Sequence, residues 1–240
     1  MRGLFITGTD TGVGKTHIAC EIVRELRMTG QHRVGAFKPA CSGADIDTNG
    51  RPSWDDLNRL RDAIGQNISD DQLCPLRFLA PLAPPIAARQ EGQTIDVDAI
   101  RHGLNAWRSE CDIIVVEGAG GLLCPLTDHQ TMADLAAQFG FPLLIVARLG
   151  LGTINHTLLT VEAARQRGLP LAGILFNEPT HDSGDLSSES NATEVAARCD
   201  VPVLAIRRHN RTGWLSRFGQ ATRLDWWTLA GVPAQANLKP

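Results

Sequence analysis

Gly8-Thr9-Asp10-Thr11-Gly12-Val13-Gly14-Lys15-Thr16 is the stretch that decides how this chain is read. Before it, residues 3–7 form an apolar run of strand character. After it, Lys15–Met28 carries Ile18, Ile22, Val23 and Leu26 on one face of a helix. A strand, a Gly-rich turn and a helix in that order aim backbone N–H groups and the positive end of a helix dipole at one point, which is how phosphate is held. Lys15 then reaches the outer phosphates and the Thr16 hydroxyl faces the position of a Mg2+ ion. The strict G-x-x-x-x-G-K-[ST] spacing asks for glycine at position 9, where this chain has Thr9 and places its first glycine at Gly8. The loop is therefore a variant. A dinucleotide fingerprint fits less well, because Gly12-x-Gly14 is followed by His17 where a third glycine belongs, and Gly118-x-Gly120 by Leu123.

Outward from this loop the same rhythm repeats. Apolar, β-branched runs at 34–38, 113–116, 143–147, 172–176 and 203–206 alternate with helical periodicity at 53–64, 96–107, 134–139, 153–167 and 189–198. Six strands separated by helices predict an α/β fold, a mostly parallel doubly wound sheet with helices on both faces. Residues 73–94 and 180–190 read as loops, neither long enough for a linker. The whole of 1–240 reads as one domain with a divergent C-terminal segment at 207–240, where Arg207, Arg208, Arg211, Arg217 and Arg223 occur with no acidic residue between them, interleaved with Trp214 and Phe218. A basic stretch of this size is more often a solvated face or a tail folded over the sheet edge than a nucleic-acid patch.

Composition narrows the chemistry. The 240 residues are 43% hydrophobic and 20% charged, ordinary globular values, and 23 basic against 26 acidic side chains give a net charge of −3. That balance offers no global field for nucleic acid or an anionic membrane and favours small-molecule chemistry. The six cysteines show no Cys-x-x-Cys pair or zinc-ligand spacing and read as reduced thiols. No signal-peptide stretch or membrane span is seen, so the expected compartment is the cytoplasm.

Two further constellations face the loop. In Asp112-Ile113-Ile114-Val115-Val116-Glu117-Gly118-Ala119-Gly120-Gly121 an acid ends a buried strand, where it can hold Mg2+, and the glycines let a ligand approach the backbone. In Lys38-Pro39-Ala40-Cys41-Ser42-Gly43 a second lysine ends a strand at the same edge. Two ammonium groups around one phosphoryl site suit a transition state that spreads negative charge over phosphate oxygens. Asp55 and Asp56 follow as further carboxylates for Mg2+, with the alternative that both simply favour the first turn of a helix.

Assembled, these residues resemble the dethiobiotin synthetases. The resemblance rests on the loop, on Lys38-Pro39 with Ser42-Gly43, on Glu117-Gly118-Ala119-Gly120-Gly121, on Leu149-Gly150 with Ile154-Asn155-His156 and Leu159-Thr160, and on Gly173 with Asn177. It implies a homodimeric P-loop NTPase fold that uses ATP and Mg2+ to carboxylate 7,8-diaminopelargonate with CO2 and close a ureido ring. On that resemblance Lys15 and Lys38, with Thr11 beside them, stabilise the carbamate and the transferring phosphoryl group. Gly12, Val13, Gly14, Lys15 and Thr16 hold the nucleotide, and Asn177 reads the adenine edge. Thr16, Asp56 and Glu117 form the metal shell. Ser42 with Gly118, Ala119, Gly120 and Gly121 lines the diamine site, while Gly152, Thr153 and Asn155 receive the substrate carboxylate near the dimer interface. The chain departs from the family at Pro84-Pro85 and at Arg207-Arg208-His209, where a Gly-x-Ile-Pro-like nucleotide loop is usual. The other readings are a partition-type ATPase switch, against which Asp10 stands where a second loop lysine is normal, and a related ATP-dependent ligase acting on another amine.

Overall fold

The computed structural model describes residues 1–180, 185–209 and 211–231. Its strands are β1 (Arg2–Gly8) and β2 (Val34–Phe37), the short β3 (Ala40–Ser42), β4 (Asp45–Ile46), β5 (Pro52–Ser53) and β6 (Leu76–Phe78), then β7 (Ile113–Gly121), β8 (Leu143–Arg148), β9 (Leu171–Asn177), β10 (Val203–Arg207), β11 (Trp214–Leu215) and β12 (Ala221–Thr222). The helices are α1 (Lys15–Met28), α2 (Asp55–Ile64), α3 (Asp70–Leu73), α4 (Pro84–Gln90), α5 (Val97–Ala106), α6 (Met132–Phe139), α7 (Thr153–Gln166), α8 (Asn191–Ala196) and α9 (Trp226–Leu229).

Eight strands form the main sheet in the order β12-β11-β10-β9-β8-β1-β7-β2. From β10 to β2 neighbours run parallel, and β11 and β12 join antiparallel at the edge. Consecutive residues of β8 divide between two separate cores: Leu144 and Val146 belong to one, Ile145 and Ala147 to the other. Side chains alternate along a strand, so the sheet is buried on both faces. Ile18 and Ile22 of α1 contribute to the first core, and Val161 of α7 and Val195 of α8 to the second. This is the expected doubly wound α/β sheet.

The differences from the sequence reading lie in short elements. The sheet has eight strands rather than six, and residues 73–94 hold β6 and α4 instead of a continuous loop. Of the stretch 180–190, residues 181–184 lie outside the described residues, and Leu186–Glu189 forms a 3-10 turn that leaves α8 shorter than the periodicity suggested.

The C-terminal segment completes the sheet edge rather than trailing in solvent. Trp214 and Trp226 are buried, meet edge to face at 5.5 Å, and donate their indole N–H groups to the two carboxylate oxygens of Glu25 on α1, each at 2.6 Å. Trp227 stacks on His32 at 3.6 Å, with the Arg2 guanidinium 4.6 Å from its ring. Residues 232–240 lie outside the described residues.

Candidate active site

Strand register builds the site. β7 lies between β1 and β2, and its Ile113, Ile114, Val115 and Val116 are fully buried because both edges and both faces are covered. Val116 pairs with Phe37 at the end of β2, so the next residue on each strand, Glu117 and Lys38, emerges at the same level. The phosphate loop leaves β1 beside them. In an open parallel sheet this carboxyl edge is where ligands bind.

At that edge the Lys38 ammonium lies 2.7 Å from Glu117 Oε1 and 2.8 Å from Asp56 Oδ2. The Thr16 hydroxyl oxygen is 2.7 Å from Asp56 Oδ1 and 2.7 Å from Glu117 Oε1. A hydroxyl has one proton, so it satisfies one of those carboxylates at a time. Glu117 Oε2 is buried without a hydrogen-bond partner among the described residues. Lys38 and Glu117 are 4% and 1% exposed, which separates them from the surface lysine and turn-capping glutamate that such positions more often hold. Of the two adjacent aspartates only Asp56 turns to the loop; Asp55 faces solvent. Both sit in the first turn of α2, where the helix dipole favours them. Trp54 anchors that turn by donating its indole N–H to the Phe78 carbonyl at 3.0 Å.

The two lysines are tuned in opposite directions. Burial lowers the pKa of Lys15, with Glu117 opposing and Lys38 reinforcing the shift. Burial alone would lower Lys38 as well, but Glu117 and Asp56 outweigh it and raise its pKa. Burial pushes the Asp56 carboxyl up, and Lys38 and the Thr16 hydroxyl more than reverse this and hold it below its usual range. Cys41, also at the cleft, is pushed up to about 12 by burial and stays a thiol.

The loop is shaped for close backbone approach. Gly12 and Gly14 take φ values of 74° and 94°, and a Cβ on Gly14 would meet Asn177 Nδ2 at 2.0 Å. Asn177, buried at the end of β9, donates from Nδ2 to the Val13 carbonyl at 2.8 Å and ties the loop to the sheet. Lys15 Nζ donates to the Asp10 carbonyl at 3.0 Å.

A cleft of about 880 Å³ opens over these groups. It brings together Thr11, Gly12, Gly14, Lys15, Thr16 and Lys38 with Ser42, Asp56, Glu117, Gly118, Ala119, Gly120 and Asn177. Val13 points into the core instead and contributes its carbonyl. Gly121 lines a neighbouring hollow of about 260 Å³ with Asp10, Cys124 and His156. Gly152, Thr153 and Asn155 lie at the start of α7, outside the main cleft, and Thr153 borders a small space of about 40 Å³ shared with Thr11 and Arg148. The sequence reading missed Arg59 and Glu178 as cleft residues. Arg59 falls three positions after Asp56, a spacing that puts both on one helix face and was a usable signal. Arg207 and Arg208, read in the sequence as part of a basic stretch and as a departure from the family's nucleotide loop, also line the cleft with His209.

The model of the AAA domain family matches residues 2–210. The ATP-dependent dethiobiotin synthetase BioD of Anaeromyxobacter dehalogenans strain 2CP-C is 52% identical over 206 residues, covering 86% of this chain and 89% of its own. The chain belongs to the dethiobiotin synthetase family. This family of ligases includes the Bacillus subtilis strain 168 enzyme, 38% identical with 86% and 87% covered, and that of Rhodopirellula baltica, 38% identical with 84% and 82% covered. Among solved structures, a ParA family ATPase from Chlorobium tepidum superposes with a TM-score of 0.52 at 16% identity, covering 88% of this chain and 85% of that one. That likeness shows the phosphate-loop NTPase fold shared by this family.

Proposed function

We propose that this chain is a homodimeric cytoplasmic enzyme that uses ATP to carboxylate and close 7,8-diaminopelargonate to dethiobiotin, releasing ADP and phosphate, within one phosphate-loop domain. One amine of the substrate takes up CO2 and loses a proton, giving a carbamate. A carbamate oxygen attacks the γ-phosphorus and ADP leaves, forming a carbamic-phosphoric anhydride. The second amine then attacks the carbonyl carbon, expels phosphate and closes the ring.

The observation that carries this reading is Lys38. A phosphate loop alone binds nucleotide; a second lysine, buried and kept charged by Glu117 and Asp56 beside Lys15, adds fixed positive charge where both a carbamate and a transferring phosphoryl group develop negative charge. The reaction needs no side-chain nucleophile, so the chain's work is positioning and charge neutralisation. Thr11 lies at the same end of the cleft, and Ser42 with Gly118, Ala119, Gly120 and Gly121 is assigned to the diamine. Gly152, Thr153 and Asn155 are assigned to its carboxylate tail. Thr153 Oγ1, buried at the start of α7 without a partner among the described residues and lining the same small space as Arg148, supports that assignment. Exposed Leu123, Leu151 and Leu159 nearby support a subunit contact there.

Mg2+ fits the residues present. Thr16, Asp56 and Glu117 offer oxygen donors only, the type this hard cation takes, and Glu117 Oε2 has no hydrogen-bond partner among the described residues. No group of three or more His, Cys, Asp or Glu side chains suited to a metal occurs among the described residues, so the ion would rely on two carboxylates, Thr16, phosphate oxygens and water, its usual company. When bound it neutralises β- and γ-phosphate charge. Among the described residues no helix is long and apolar enough to cross a membrane.

The test is phosphate release from MgATP with bicarbonate, with and without the diamine. The reading expects release to depend on the diamine. Release that ignores it, or nucleotide binding without turnover, would favour a switch ATPase or another amine substrate.

A further inference from the structure

The cleft holds more cationic side chains than the phosphate loop and Lys38 account for, and the protein grips them unequally. Arg207 is locked: Nε and Nη2 donate to the Glu21 carboxylate at 2.7 and 2.6 Å, and Nη1 donates to the Arg208 carbonyl at 3.1 Å. Lys38 is committed to two carboxylates. Arg59 lines the same cleft, yet its side chain is 43% exposed and, among the described residues, makes one ion pair, to Asp55 on its own helix at 3.7 Å, and no hydrogen bond. An exposed pair at that distance holds a guanidinium only weakly.

Position gives this loose cation a task. Asp56 touches Thr16, so the first turn of α2 abuts the first turn of α1, and Arg59 shares the Asp56 face. Arg59 lines the cleft together with Thr16 and His17 of the opening turn of α1. That turn receives the phosphates nearer the nucleoside, while Lys15 and Lys38 attend the outer end. Lys38 is paired with Asp56 and Glu117, and Arg207 with Glu21. A polyphosphate therefore meets Arg59 as a cation still available for charge-assisted, two-pronged hydrogen bonding.

We propose that Arg59 is a phosphate-contacting residue that closes onto the non-transferred phosphates of the bound nucleotide; this rests on the cleft being the ATP site. Because those phosphates are present in ATP and ADP alike, the contact adds uniform binding and not transition-state selectivity.

The experiment measures dissociation constants of ADP and of a non-hydrolysable ATP analogue, each with Mg2+, by calorimetry at low and high salt. The unaltered protein is compared with Arg59→Ala and Arg59→Lys, whose melting temperatures are recorded alongside. Arg59→Ala should weaken both ligands about tenfold, flatten the salt dependence and leave the melting temperature unchanged, with Arg59→Lys in between. Constants within twofold of the unaltered protein overturn the proposal, as does a loss confined to the ATP analogue, which would place Arg59 at the γ-phosphate. Absence of binding by the unaltered protein overturns the ATP-site reading and the proposal together, so the two failures are told apart.

Discussion

Replacing Lys38 by methionine removes the ammonium that touches both Glu117 and Asp56 while keeping most of the side-chain volume. Glu117 is 1% exposed, and without Lys38 its remaining partner is the Thr16 hydroxyl, already shared with Asp56. Stripping one partner from a buried ion pair leaves an uncompensated charge in low dielectric and costs about 3–5 kcal/mol. For a chain of this size each kcal/mol moves the melting temperature by about 2–4 °C, so Lys38→Met should melt about 6–20 °C lower. The refinement is a double-mutant cycle with Glu117→Gln, read by urea denaturation. Glu117→Gln alone leaves Lys38 paired to the half-exposed Asp56; in the Lys38→Met background it removes the stranded charge. The double variant should therefore be more stable than Lys38→Met, with a coupling of at least about 2 kcal/mol. Additive losses within about 0.5 kcal/mol, or a Lys38→Met protein that melts like the unaltered one, would refute the claim that these charges hold each other in the core.

Other consequences are as direct. Glu25→Ala removes the acceptor for two buried indole N–H groups and should cost about 2–4 kcal/mol in urea denaturation, with Glu25→Gln milder because one acceptor oxygen remains. Gly14→Ala sets a Cβ against Asn177 at a φ of 94°, so nucleotide binding measured by calorimetry should fall at least about tenfold through distortion of the loop. Asp112, hydrogen-bonded by the Arg33 side chain and backbone, has its pKa lowered from 3.8 to about 2. A carboxyl depressed in the folded state contributes stability above its unfolded pKa and loses it as pH falls through the folded one, so the stability of Asp112→Asn should vary less between about pH 4 and pH 2 than that of the unaltered protein.

What could be read from the amino acids followed the strength of each local signal. Runs such as 113–116 and 143–147 are apolar without interruption because they are covered on both faces, and they marked the six parallel strands. β11 and β12 have two residues each, too short for any periodicity, and their place depends on Trp214 and Trp226 reaching Glu25 some 190 and 200 positions away. The loop, Lys38 and Glu117 were legible because each ends a strand, and strand ends at one edge converge. Asp55 and Asp56 are adjacent and alike in sequence, and only the side-chain contacts separate them: Asp56 meets Thr16, while Asp55 faces solvent. Arg59 was legible only through its i,i+3 spacing from Asp56, and Glu178 left no such mark, since a charged residue after a strand looks the same in sequence whether it borders a cleft or bulk water.

The central claim is best tested by the product itself. The protein is incubated with MgATP, 7,8-diaminopelargonate and 13C-labelled bicarbonate, and the product is weighed by mass spectrometry while phosphate is counted. The account predicts dethiobiotin carrying one added mass unit, with one phosphate released per ring closed. Unlabelled product, phosphate released without product, or no dethiobiotin at all would contradict it.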